Sequence, residues 1–137
     1  MSGWLGKWLG RGGTSLRGGQ AVPRLKTYSS QTGYVYRYLY LGNRETRRRG
    51  EGATEYAFDV SAGSESDMGV SVVVPASALQ PSETILGRPL AENERYAIAK
   101  MALFQAFDER PVPAAMRDEV MVRASDAAAI LATLGLA

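Results

Sequence analysis

Strict alternation of side-chain character marks two segments in the first half of the chain. In residues 34–41 a tyrosine occupies every second position, with valine, arginine or leucine between. Residues 54–60 alternate in the same way, and residues 70–74 form a valine-rich run that ends before Pro75. A period of two with aromatic and β-branched residues is typical of β-strands, and a proline disfavours continuation of a strand. The pattern therefore predicts three consecutive strands.

Polar segments that contain glycine separate these strands. Residues 42–53 consist mainly of charged side chains and glycine, and residues 61–69 are rich in serine, glycine and acids. Such compositions predict loops. Three strands joined in succession by loops of this kind predict an antiparallel meander.

The second half of the chain has a helical composition. Residues 90–108 are rich in alanine, leucine, methionine and glutamate, and their apolar side chains extend around most of a helical circumference. A helix of this kind is expected to be buried against more than one neighbour. Residues 119–123 predict a short fourth strand, and Ser125 and Asp126 can cap a last helix that runs to about Leu134. The predicted order is βββαβα, an α+β fold with the helices packed on one face of a mainly antiparallel sheet.

The tyrosine face of the first strand has two interpretations. Its members, which share one side of the strand, are Tyr34, Tyr36, Tyr38 and Tyr40. They can form a stacking platform for bases or sugars, or they can pack against the long helix. The charged residues of the first two strands fall on the opposite side, which favours packing. The predicted core contains Tyr36, Tyr38, Phe58, Val72, Leu103 and Phe107.

The first 26 residues are predicted to form an arm rather than part of the domain. Residues 10–19 are rich in glycine and predict a flexible linker. Residues 27–137 have the size of one ordinary domain. The chain is therefore expected to consist of a flexible basic arm, residues 1–26, followed by a single α+β domain.

Tryptophan and leucine at helical spacing distinguish the start of this arm. The four side chains are Trp4, Leu5, Trp8 and Leu9. They would share one side of a helix, but the neighbouring glycines weaken so short a helix in the absence of a binding surface. The segment is expected to become helical when it docks on a partner protein, on an anionic membrane or on its own domain.

Positive charge is concentrated near the N-terminus. Residues 1–49 hold ten lysines and arginines against one acid, a net charge of +9, whereas residues 50–137 carry −7. Four arginines of the predicted loop after the first strand form a compact cluster: Arg44, Arg47, Arg48 and Arg49. The arginine fork suits phosphate groups, so this cluster predicts contact with a polyanion. A solvated hairpin tip is the other interpretation.

The chain contains no cysteine and no histidine. Disulfides, thiolate metal sites, cysteine nucleophiles and histidine-based catalysis are therefore excluded. Neighbouring acids occur at three places, but a helix start or an exposed loop accounts for each of them. The sequence therefore predicts no catalytic residue, no metal site and no cofactor.

These observations favour a non-enzymatic interaction or adaptor protein. The arm would recruit the α+β domain to a larger protein assembly or to an anionic membrane surface. The alternative is a nucleic-acid-binding module that uses the arm and the arginine cluster. No apolar run is long enough to predict a membrane-spanning helix, so a cytoplasmic or peripheral membrane location is expected.

Overall fold

The computed structural model describes residues 16–19, 24–63 and 66–136. The described part contains five strands, three α-helices and one 3₁₀ helix. The strands are β1 (Lys26–Ser29), β2 (Val35–Arg48), β3 (Glu51–Ala62), β4 (Met68–Pro75) and β5 (Val120–Met121). The helices are α1 (Ala76–Leu86), α2 (Glu92–Glu109) and α3 (Ala124–Thr133), with the 3₁₀ helix at Pro113–Arg117.

The strands form one mixed sheet in the order β1-β2-β3-β4-β5. The first four are antiparallel neighbours, and β5 pairs parallel to β4. The α+β class is confirmed, but the element order differs from the predicted βββαβα. The strand β1 and the helix α1 were not predicted, and the predicted fourth strand is β5, at the edge beside β4.

The predicted loop at residues 42–53 is wrong. Apart from one bulge, strands β2 and β3 pair until Arg48 faces Glu51, and the connection is only Arg49 and Gly50. Both connecting residues have positive φ, 54° and 81°, which is the backbone of a tight two-residue hairpin turn. Charged residues extend these strands because opposite charges pair across them, as Arg44 does with Glu55.

A β-bulge in β2 changes which side chains face the helices. The register shifts between Tyr40, which faces Phe58, and Gly42, which faces Ala57. Asn43 therefore pairs with Tyr56 on the side of the sheet that carries the helices, here called the helix face. A bulge inserts one extra residue and bends the strand locally. Without this shift, Gly42 and Arg44 rather than Asn43 would follow Tyr40 on the helix face.

Packing on the helix face confirms the predicted core. All six predicted members lie in one cluster of buried residues, together with Ile98, Ile130 and Leu131 from the helices. Phe107 stacks on Tyr36 with ring centroids 4.1 Å apart. Tyr34 is the exception among the tyrosines of the first strand, because it lies just before β2 and is 39% exposed. Packing is therefore the correct interpretation for Tyr36 and Tyr38.

Helix α1 forms in spite of a proline at position 81. The carboxylate of Glu51 accepts hydrogen bonds from the backbone N–H and the hydroxyl of Ser77, at 3.0 and 2.8 Å. These bonds satisfy a donor in the first turn that has no partner within the helix. The helix ends at Gly87, whose φ of 75° is the left-handed conformation common at helix ends. A side chain of the hairpin thus holds the start of the helix.

Candidate functional site

Residues 16–19, within the predicted arm, are attached to the edge of β2. Arg17 donates its backbone N–H to the Asn43 carbonyl at 2.8 Å and accepts the Asn43 N–H at 2.6 Å. This isolated bridge continues the edge of the sheet beyond β1, which pairs only with Val35–Tyr38. The Arg17 guanidinium also pairs with the Glu45 carboxylate at 3.3 Å, in an exposed position. Residues 16–19 of the predicted flexible linker therefore lie against the sheet.

Two glycines permit this close approach. Gly42, in the bulge, has a φ of 128°, and a Cβ atom there would lie 2.7 Å from the Arg17 carbonyl oxygen. Gly18 has a φ of 77°, and its Cβ would lie 2.7 Å from the Asn43 amide nitrogen. Residues with side chains rarely adopt such φ values. The contact between arm and sheet thus depends on glycine on both sides.

Gly42→Ala is expected to release the arm and to lower the free energy of unfolding by about 1–3 kcal/mol, because alanine is strained at this φ. Urea denaturation measures the loss, and hydrogen exchange of the Asn43 amide measures the release. Gly52→Ala is the matched control: Gly52 lies in β3, and its Cβ would meet nothing within 4 Å. It should change stability by less than about 0.5 kcal/mol. Wild-type stability and wild-type Asn43 protection in Gly42→Ala would contradict this account.

A cavity of about 490 Å³ opens next to this attachment. It lies between the bulged part of β2, the middle of β3 and the first two turns of α2. Its lining residues are Gly18, Tyr40, Asn43, Tyr56, Glu92, Asn93 and Tyr96. The cavity therefore combines three tyrosines with two side-chain amides and one carboxylate, and residue 18 of the arm forms part of its wall. We refer to it as the tyrosine cavity.

The rings of the three tyrosines lie close together, with their planes inclined to one another. The rings of Tyr40 and Tyr96 have centroids 4.7 Å apart and planes inclined by 48°. Tyr56 and Tyr96 are 6.5 Å apart and inclined by 51°. The Asn43 amide donates a hydrogen bond to the Tyr40 hydroxyl at 2.9 Å. The tyrosine rings and the amide thus form connected walls rather than separate groups.

These tyrosines stay protonated at neutral pH. Burial raises the pKa of Tyr96 to about 12. Burial likewise raises the pKa of Tyr40 and of Tyr56, and the negative charge of Glu92 adds a smaller increase to each. Arg95 acts in the opposite direction on the pKa of Tyr56. The tyrosine cavity therefore has neutral rings and one negative side chain among its lining residues.

The predicted arginine cluster is not brought together as one exposed patch. Arg44 is buried and pairs with Glu55 at 2.9 Å. Arg48 pairs with Glu119, just before β5, at 2.7 Å. The Arg47 guanidinium donates to the Gly50 carbonyl at the hairpin turn, and Arg49 is exposed in that turn. Two of the four guanidinium groups thus have carboxylate partners within the fold.

The acids that neighbour one another in sequence also have structural partners. Glu94 accepts the Ala91 N–H and a two-point contact from Arg88, which together hold its pKa down at about 2. Asp108 accepts the Tyr28 hydroxyl at 2.7 Å and the Gln31 N–H at 2.9 Å. In the described part of the chain, no group of three or more acids is placed to hold a metal ion. These carboxylates fix helix ends and the β1–β2 connection.

The predicted docking residues Trp4, Leu5, Trp8 and Leu9 lie outside the described residues. Sequence reasoning missed the tyrosine cavity, because it considered Tyr40 only with the other tyrosines of its strand and did not place Tyr56 and Tyr96 beside it. A signal was present in the polar residues close to them: Asn43 interrupts the alternation of β2, and Glu92 and Asn93 begin α2.

None of the helices among residues 16–19, 24–63 and 66–136 is long and apolar enough to cross a membrane. No protein-family model, no curated protein and no solved structure matches this chain.

Proposed function

We propose that this chain is a non-enzymatic interaction protein. Its N-terminal arm recruits the α+β domain to a larger protein assembly or to an anionic membrane surface, in the cytoplasm. The observation that carries the proposal is the attachment of the arm at Arg17. Because that residue is bonded to Asn43, the arm is joined to the sheet edge at one defined point. An attached segment of this kind orients the domain on whatever the arm binds.

The composition of the arm supports an apolar contact reinforced by charge. Trp4, Leu5, Trp8 and Leu9 would each contribute roughly 1.5–3 kcal/mol if fully buried against a partner. Ordering the segment costs part of that gain. Lys7 and Arg11 would add about 1 kcal/mol each near an anionic membrane surface. The balance favours a docked arm when a suitable surface is present.

The fold gives less support to the nucleic-acid-binding alternative. That reading needs the guanidinium groups of the arginine cluster to reach phosphates. Arg44 and Arg48 instead contact Glu55 and Glu119. Binding phosphate with either side chain would require breaking an ion pair of the fold, so we retain the interaction protein as the proposal.

Tryptophan fluorescence tests the proposal directly, because both tryptophans of the chain, Trp4 and Trp8, lie in the arm. Vesicles of phosphatidylserine and phosphatidylcholine are added to the full-length protein, and separately a membrane-free cytosolic fraction. A blue shift on addition of either is expected, together with co-sedimentation or co-elution. Trp4→Ala/Trp8→Ala should weaken co-sedimentation or co-elution by about tenfold or more, which corresponds to about 1.4 kcal/mol.

Leu25→Ala is the matched control, because Leu25 is 61% exposed and lies outside the docking segment. This variant should bind as the wild type does. Two results would contradict recruitment. One is emission that is blue-shifted in the protein alone and unmoved by any addition, because the arm would then pack on its own domain. The other is solvent-exposed emission that neither vesicles nor the cytosolic fraction changes.

A further inference from the structure

We propose that the tyrosine cavity binds an alkylated ammonium group, held by its three tyrosine rings and by the carboxylate of Glu92. This inference goes beyond the proposed function, since it concerns the folded domain and does not depend on what the arm binds. The ligand class is an organic cation whose positive nitrogen carries methyl or methylene groups. The argument rests on the walls of the cavity, on its charge and on its size.

The walls present aromatic rings at mutually inclined angles. Tyr40 and Tyr56 come from neighbouring strands, and Tyr96 comes from α2, so the rings enclose the space from two layers of the fold. The planes of Tyr40 and Tyr56 are each inclined by about 50° to that of Tyr96. Several rings around one space can attract a cation by their electron-rich faces, and quaternary ammonium groups are recognised in this way.

The charge of the lining favours a cation over an anion. Glu92 is the one acid among the described lining residues, and none of them is lysine or arginine. The side chain of Glu92 is 72% exposed and forms a long ion pair with Arg95, at 3.7 Å. Arg95 also interacts with Tyr56, although it does not line the cavity. Arg95 donates to the Leu90 carbonyl at 2.6 Å and lines a separate cavity with Glu45 and Glu83. A cation that enters the tyrosine cavity would therefore share the exposed Glu92 carboxylate with Arg95.

The remaining lining groups suit an organic cation rather than a hydrated inorganic one. Calcium and magnesium prefer six or more oxygen ligands, with carboxylates prominent among them. Here a single carboxylate stands beside two side-chain amides and aromatic carbon. A volume of about 490 Å³ also exceeds what a bare ammonium needs. Methyl and methylene groups around the nitrogen would fill this space and contact the rings.

The site is held in place by polar contacts of the fold. The Asn43 amide donates to the Tyr40 hydroxyl, and the Asn43 backbone is bonded to Arg17. Since Gly18 follows Arg17 and lines the cavity, the attachment of the arm closes one side of it. The cavity therefore needs the bulged strand, the helix start and residues 17–18 of the arm to be complete.

The experiment compares choline with its neutral isostere, 3,3-dimethylbutan-1-ol, on the full-length protein. The two molecules have nearly the same shape and differ in charge. Dissociation constants are measured by NMR titration of the tyrosine ring signals. Choline is expected to bind at least about tenfold more tightly than the neutral isostere, because only choline gains from the rings and from Glu92. Equal binding of both molecules would overturn the proposal.

Substitutions identify the groups responsible. Glu92→Gln should weaken choline binding several-fold and leave the neutral isostere unaffected. The matched control is Glu109→Gln, which removes the same charge from the exposed far end of α2, about 25 Å away along the helix. It should bind choline as the wild type does. If both variants lose the same affinity, the effect is general electrostatics and the proposal fails.

The aromatic walls are tested at Tyr96. Tyr96→Phe keeps the ring and should retain choline binding within about threefold, whereas Tyr96→Leu should lose about tenfold or more. Unchanged urea midpoints for Glu92→Gln and Tyr96→Phe would show that the fold is intact. If Tyr96→Leu unfolds, the comparison of Glu92→Gln with Glu109→Gln still decides whether the cavity binds choline. Wild-type choline binding by a folded Tyr96→Leu variant would exclude the site.

Discussion

Phe107→Ala is expected to lower the free energy of unfolding by about 3–5 kcal/mol, as large-to-small changes at fully buried aromatic positions do. The Phe107 side chain has no exposed surface. It stacks on Tyr36 at 4.1 Å and lies beside Tyr28 and Tyr38, with centroids 5.7 and 6.3 Å away. Removing the ring would leave a void where β1, β2 and α2 meet.

Urea denaturation monitored by circular dichroism measures this loss. Ile85→Ala is the control, because Ile85 is 81% exposed on α1. That variant should differ from the wild type by less than about 0.5 kcal/mol. A loss below about 1 kcal/mol for Phe107→Ala would mean that α2 does not pack on the tyrosines of β2, and the described core would be wrong.

Breaking the buried ion pair of the central hairpin should have an effect of similar size. Arg44 Nε lies 2.9 Å from Glu55 Oε1, and the two side chains are only 6% and 4% exposed. The Ser71 hydroxyl also donates to the Glu55 carboxylate. Arg44→Met would leave that carboxylate buried without its guanidinium partner, which typically costs 3–5 kcal/mol. We expect a loss of about that size.

The double variant Arg44→Met/Glu55→Leu separates charge from packing. With both charges removed, neither position holds an unpaired buried ion, and replacing a buried pair by apolar residues is often neutral or better. The double variant should therefore recover most of the stability that Arg44→Met loses, in the same urea measurement. The Glu55→Leu single variant completes the comparison. If the loss in the double variant equals the sum of the losses in the two single variants, the pair is not coupled and the buried ionic contact does not stabilise the hairpin.

The sequence was sufficient for the elements whose side chains alternate or repeat clearly. Tyr36 and Tyr38, together with Phe58, mark one face of β2 and β3 by the period of two. Leu103 and Phe107 mark the buried side of α2 by helical spacing. These positions form the core because local pattern and tertiary burial agree there. The α+β class follows from the order of these elements.

Where two physical effects competed, the pattern misled. The charges from Arg44 to Glu51 looked like a loop, but cross-strand pairing and the turn at Gly50 extend the hairpin through them. Helix α1 was not predicted and contains Pro81, yet it forms with its start held by Glu51. A contact between residues 26 positions apart in the sequence cannot be read from local propensity.

The tyrosine cavity could not be predicted from the sequence for a related reason. Tyr40, Tyr56 and Tyr96 are separated by up to 56 positions, and only the pairing of β2 with β3 and the packing of α2 bring them together. The alternation showed that Tyr40 lies on the same face of β2 as Tyr36. It did not show that a cavity remains beside Tyr40. Likewise, Gly18 belonged to the predicted flexible linker and Gly42 to the predicted loop, whereas each fits a specific close contact.

The attachment of Arg17 also bears on how copies of this chain behave toward one another. Strand β2 has fourteen residues, but β1 covers only Val35–Tyr38 of its outer edge. Among the residues that the structure describes, the bridge at Asn43 is the next contact along that edge. An uncovered strand edge is a template on which another chain can pair and aggregate. Because residues 16–19 cover part of this edge, they hinder the addition of a strand from another copy. A shortened chain that lacks them would expose the longest strand of the described sheet to its own copies.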